Sequence, residues 1–166
     1  MSPAVMEIPK HFLVPCTIFS HREAHLVTTL LGSCVAVCLW DPRLAQGGIN
    51  HFMLPLWNGE GLATPKYGNI AIANLLERMM RMGSRPEDLV AKVFGGGKVL
   101  EGAVEVFNMG ERNIAVSLNI LARQGIPVVA MDVGGERSRK IVYNTASGRV
   151  HLWQSRTRPP GGEVPR

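Results

Sequence analysis

The fold class this sequence predicts is α/β, and three observations carry it. Short apolar runs rich in β-formers are each closed by glycine, proline or Asp-Pro breaks. Two other stretches repeat their apolar residues at helical spacing. The chain has 166 residues, 46% of them hydrophobic, which suits one domain around one core, and it shows no internal repeat.

Taken in order, residues 1–10 are expected to be loosely ordered. Residues 13–19 read as a short strand, and His21 to His25 as a polar loop. Residues 26–31 are β-like, and Gly32-Ser33 breaks them. The run 34–40, between Gly-Ser and Asp41-Pro42, reads as a buried strand. Residues 41–48 form a connection, and 49–54 the next strand, stopped by Pro55. Residues 57–66, rich in Gly, Asn and Pro, predict a loop long enough to sit at the mouth of a site.

The spacing of Ile72, Leu75, Leu76, Met79 and Met80 predicts a helix over 67–82, ended by Gly83. A strand follows over 89–94. Asn113 reads as the N-cap of a second helix over 113–124, with Ile114, Leu118 and Leu121 on its apolar face. Residues 127–131 predict a strand, and 140–143 with 149–153 a hairpin. Residues 1–158 are expected to be one domain and 159–166 a disordered tail.

No apolar run approaches the ~20 residues of a membrane-spanning helix, and residues 1–15 lack the pattern of a signal peptide. The three cysteines, Cys16, Cys34 and Cys38, do not make a secreted disulfide framework. A cytoplasmic location is the expectation. No zinc spacing is present, and His11, His21 and His25 read as surface histidines, so no metal is expected. The net charge is +5, with Arg139 and other basic residues scattered along the chain. That charge reads as a solvated surface or as attraction for an acidic partner. Tyrosine and phenylalanine are few and not interleaved with basic residues, which argues against nucleic acid.

Gly95-Gly96-Gly97-Lys98 has the flavour of a phosphate loop, but Lys92 and Val99 stand where that motif needs Gly and Ser or Thr. A tight turn with close chain approach is the better reading.

Cys34 and His51 are the residues with chemistry. A thiol and an imidazole are the minimum for nucleophilic attack on a carbonyl. Gly32-Ser33 before Cys34 allows a sharp turn, and backbone N–H groups of Ser33 and Cys34 could hold an oxyanion. Cys38 has apolar neighbours on both sides and reads as core. A simple hairpin closed by residues 41–48 would set His51 opposite Cys38. That puts His51 on the face of Cys34 but about 13 Å along the strand. On the residues alone, a dyad and a buried thiol beside an unrelated histidine both remain open.

Several segments in order resemble the CheD family of chemoreceptor glutamine deamidases. They are Thr28 through Leu-Gly-Ser-Cys34-Val-Ala-Val, Asp41-Pro42, His51-Phe-Met-Leu-Pro, Lys66-Tyr-Gly, Lys92-Val-Phe-Gly-Gly, Gly110-Glu-Arg-Asn, Asp132-Val-Gly-Gly and Ser138-Arg-Lys-Ile. The resemblance spans 26–152. It implies a β-sandwich of mixed sheets flanked by helices, similar to the catalytic domain of cytotoxic necrotising factors. It implies a protein-glutamine glutaminase that converts glutamines of methyl-accepting chemotaxis receptors to glutamate and ammonia through a cysteine thioester. The triad it implies is Cys34, His51 and Thr28, with no cofactor and with the phosphatase CheC as a partner. Gly97 and Glu111 depart from the family pattern. A receptor methylesterase using the same site, and a non-catalytic regulator that binds CheC, are the alternatives.

Overall fold

The computed structural model describes residues 6–99 and 108–155. Its elements follow the order β1 (Lys10–Phe12), β2 (Thr17–His21), β3 (Leu26–Leu31), β4 (Val35–Asp41), β5 (Gln46–His51), α1 (Gly68–Arg81), β6 (Val90–Gly95), α2 (Met109–Arg123), β7 (Val128–Val133), β8 (Arg139–Asn144) and β9 (Val150–Gln154). The strands form two mixed sheets, a four-stranded one in the order β1-β3-β8-β9 and a five-stranded one in the order β2-β5-β4-β6-β7. The α/β class and the sandwich of mixed sheets flanked by helices are therefore present.

Burial on both faces of β4 shows how the layers stack. Val35, Val37 and Leu39 pack with Ala71, Ile72, Leu75 and Met79 of α1 and Leu121 of α2. Their alternates Ala36 and Cys38 pack with Val27 and Leu31 of β3 and Ile141 and Tyr143 of β8. Side chains alternate across a strand, so the five-stranded sheet is the middle layer, between the helices and the second sheet. That explains why residues 34–40 are continuously apolar rather than alternating. β6 and β7 run parallel with α2 as their crossover, since a parallel pair cannot be closed by a tight turn.

At one end the sheets are closed. Tyr143 Oη donates to the Leu39 carbonyl at 2.8 Å, across the layer. Gly47 faces this contact, and a Cβ there would strike Tyr143 Oη and lie 2.9 Å from the Leu39 carbonyl oxygen. At the other end the chain itself crosses between sheets. β3 belongs to the four-stranded sheet and β4 to the five-stranded one, and Gly32-Ser33-Cys34 is the link.

The β4–β5 hairpin is tighter than the sequence reading assumed. Asp41 pairs with Gln46, so the connection is residues 42–45 rather than 41–48. Asp41 is fully buried and its carboxylate makes the turn, accepting from the Arg43 and Leu44 N–H groups and from Ser84 Oγ. Cys38 is consequently opposite Ile49, and the pairing resumes with Val35 opposite Phe52. His51 thus lies across from Ala36, not Cys38.

Other boundaries also differ. The first expected strand starts at Thr17, and an unexpected β1 forms earlier, beginning at Lys10, the last residue expected to be loose. The second helix begins at Met109, so Asn113 is inside it and is not its N-cap. Residues 1–5 and the expected tail 159–166 lie outside the described residues.

Candidate active site

Thr29 points from β3 into the space between the sheets and is fully buried, as are its alternates Val27 and Leu31, at most 1% exposed. His51, at the end of β5, faces the same space and is 1% exposed. The two meet, with Thr29 Oγ1 2.7 Å from His51 Nδ1. Thr28 lies on the opposite face of β3, half-buried. The structure thus brings Thr29 to the imidazole in place of the expected Thr28, because strand alternation turns neighbouring side chains to opposite sides.

This contact fixes the tautomer. The Thr29 hydroxyl has one proton and donates it to the Leu13 carbonyl at 2.8 Å. A carbonyl can only accept, so at the second contact Thr29 Oγ1 accepts from His51 Nδ1–H. Nε2 then carries the lone pair. Nε2 is buried and has no hydrogen-bond partner among the described residues. Burial lowers the His51 pKa to about 4, so the ring is neutral near pH 7.

The corrected register also removes most of the distance problem. Cys34 is two residues beyond Ala36 on the same face, about 7 Å along the strand rather than about 13 Å. Cys34 is partly exposed, and both Cys34 and His51 line a cleft of about 740 Å³. Cys38, farther in, is 1% exposed, and burial pushes its thiol far above the ordinary range. The reading of Cys38 as core holds.

The turn bearing Cys34 is held by its carbonyls. Gly97 N–H donates to Gly32 O and Gly96 N–H to Cys34 O, both at 2.9 Å. Asn113 Nδ2 donates to Ser33 O at 3.0 Å. Three successive carbonyls therefore point toward the glycine turn and α2. Glycine is required there: a Cβ on Gly95 would strike Cys34 O, and one on Gly97 would come within 2.7 Å of Arg137 O. Gly110 on α2 packs against Gly96 O equally closely. The triple glycine is a close-approach turn, as the failed phosphate-loop spacing implied.

The cleft wall is braced by Arg139, which the sequence presented as one of many surface cations. It is 5% exposed. Its Nε donates to Asp132 Oδ1 at 2.7 Å and its Nη2 to Gly134 O at 2.7 Å. It ties β8 of one sheet to the end of β7 in the other, beside Gly134 and Gly135, which line the cleft. Residues 57–66, expected near a site mouth, do not line this cleft. His11 stacks on Phe19 at 4.3 Å and His21 meets His25 at 4.5 Å, centroid to centroid.

Two residues of this site escaped the sequence reading. Thr29 was passed over for its neighbour. Asn113 was read as a cap, although Gly110, Asn113, Ser117 and Leu121 form a buried stripe at helical spacing that marks it as core-facing.

The profile of the CheD chemotactic sensory transduction family matches residues 53–154. The chain belongs to the CheD family. A protein of Trichlorobacter lovleyi named probable chemoreceptor glutamine deamidase CheD is 54% identical over 145 residues, covering 87% of this chain and 90% of that protein. Another of the same name, from Sulfurimonas denitrificans, is 46% identical over 148 residues, covering 89% of this chain and 95% of that one. Among solved structures, the Bacillus licheniformis hypothetical protein YfiH superposes with a TM-score of 0.40 at 18% identity, over 68% of this chain and 49% of that one. The CheD profile match takes in both helices and the glycine turns and begins just after His51. No helix among the described residues is long and apolar enough to cross a membrane.

Proposed function

We propose that this CheD-family chain is a chemoreceptor glutamine deamidase that works through a Cys34 thioester. The observation that carries the reading is the oriented imidazole. Thr29 holds His51 Nδ1–H, Nε2 is left without a hydrogen-bond partner among the described residues, and His51 and Cys34 line the same cleft. Relatives along most of this chain bear the deamidase name.

A neutral resting imidazole favours general-base action over a preformed ion pair. His51 Nε2 takes the Cys34 proton as sulfur attacks the glutamine carboxamide carbon. The carbonyl oxygen becomes an oxyanion. Tied carbonyls at Gly32 and Ser33 turn the following N–H groups, those of Ser33 and Cys34, the opposite way across each planar peptide. These are the proposed oxyanion donors. Imidazolium returns the proton to the departing ammonia. Water, deprotonated by the same Nε2, then cleaves the thioester to glutamate and restores the thiol. Thr29 serves as the neutral third member in place of a carboxylate.

The substrate in this reading is the cytoplasmic region of a methyl-accepting receptor, with a CheC-type phosphatase as a further partner. Receptor fragments incubated with the protein should release ammonia and gain about one dalton at defined glutamines by peptide mass spectrometry. Release of methanol from methylated fragments without ammonia from amidated ones would replace this reading with an esterase.

A further inference from the structure

We infer that Asn113 is a positioning residue that clamps the Cys34 turn to the chain carrying His51. This rests on the cysteine–histidine reading above. Asn113 is fully buried on α2, within the helix interior. Its Nδ2 donates to Ser33 O at 3.0 Å and to Met53 O at 2.9 Å. Ser33 immediately precedes Cys34, and Met53 is two residues past His51. One amide thus spans the two segments whose separation decides whether a proton can pass from sulfur to Nε2.

The cost of this placement argues that it has a use. An asparagine inside a helix and away from solvent is unfavourable by propensity and by desolvation. Both N–H bonds of the amide go to the two segments, while Oδ1 is buried without a hydrogen-bond partner among the described residues. The amide donates twice, once to each segment.

The neighbouring sequence permits it. Gly110, one turn earlier on the same stripe, lets α2 touch Gly96, whose N–H holds Cys34 O. At the adjacent β4–β5 position the Val37 N–H bonds to the Asn50 side chain, at 2.9 Å to Oδ1. A side chain there does what a ladder carbonyl does elsewhere in the pairing, so the hairpin beside His51 is not held by backbone alone. Asn113 bridges the strands just beyond this point.

The test uses Asn113→Ala, which deletes the clamp, and Asn113→Asp, which keeps the shape but replaces the donor with acceptors. The readout is the rate of Cys34 alkylation by iodoacetamide against pH, located by tandem mass spectrometry, beside kcat and KM for receptor deamidation. In the wild type, alkylation should persist well below the ordinary thiol pKa of about 8.5, because Nε2 accepts the proton. In both variants it should fall at least about tenfold at pH 7 and decline with the steep slope of an unassisted thiol. Their kcat should fall by a similar factor with KM changed less than about twofold, at temperatures where both are folded. Wild-type pH profiles in folded variants would overturn the assignment. So would failure of both variants to fold, which would make the amide a structural tie. Alkylation in His51→Ala separates the two ideas: if that variant matches wild type, the dyad itself fails, whatever Asn113 does.

Discussion

The two ends of the layer between the sheets carry the same side chain to opposite fates. Cys38 and Cys34 lie four residues apart on one face of one apolar run. At the Cys38 end, Tyr143 bridges the sheets and Gly47 lets them close, and the thiol is sealed, with burial pushing its pKa up. At the Cys34 end the chain passes from one sheet to the other, so no strand pair can close the layer, and a cleft remains. Exposure of the thiol here follows the place where the sheets part rather than the residue type. A buried thiol is packing until the backbone turns beside it.

Removing the side chains at the open end is the most direct way to break this contrast. Cys34→Ala should reduce receptor deamidation by about 10⁴-fold or more, and His51→Ala by a comparable factor, since members of such a unit do not add. Ammonia release would show it. Substantial turnover by either variant would end the thiol mechanism.

The next effect is on stability and isolates the histidine. Burial lowers its pKa to about 4 in the fold from an ordinary 6.5. The unfolded chain therefore binds a proton between these values that the folded chain does not. Stability from this group is full above pH 6.5 and is lost as pH falls toward 4, by about 3 kcal/mol. Denaturant unfolding of wild type and His51→Gln at pH 7 and pH 4 should show the larger acid loss in wild type. Equal losses would mean that the ring is not held neutral by burial.

The two adjacent threonines sharpen the comparison further. Thr29→Val should lower kcat by about 10- to 100-fold, as the imidazole loses its tautomer lock. Thr28→Val should leave kcat within about twofold. The reverse order in steady-state kinetics would restore Thr28 to the triad. The smallest effect is expected from Cys38→Ala, a loss of about 1–2 kcal/mol in denaturant unfolding with kcat unchanged.

Strand character was legible where it was local. Residues 26–31 are read as a strand from pattern alone, and the structure gives Leu26–Leu31. The helix over 67–82 loses only a residue at each end, because Gly83 ends it in the left-handed region at φ +99°. Register was not legible, because it depends on a buried carboxylate. Asp41 looks like half of a generic Asp-Pro break, and only its hydrogen bonds to residues 43 and 44 show that the turn starts there. That His51 meets Thr29 rather than Thr28 was hidden for a related reason. A six-residue offset from Cys34 counts along the chain, whereas contact with His51 is decided by which face of β3 meets the other sheet. Asn113 was missed because its partners are backbone carbonyls from distant segments, which leave no mark in a sequence, and Arg139 because only the fold seats it between the Asp132 carboxylate and the Gly134 carbonyl.

The Thr29–Leu13 relay has an electrical consequence. The hydroxyl and the peptide carbonyl behind the His51 ring carry no charge, and the ring itself is neutral near pH 7. Added salt therefore has no fixed charge to screen behind the imidazole. A net charge of +5 nonetheless favours long-range attraction to any acidic partner. Ionic strength should therefore weaken encounter while leaving the committed complex to react at its own pace.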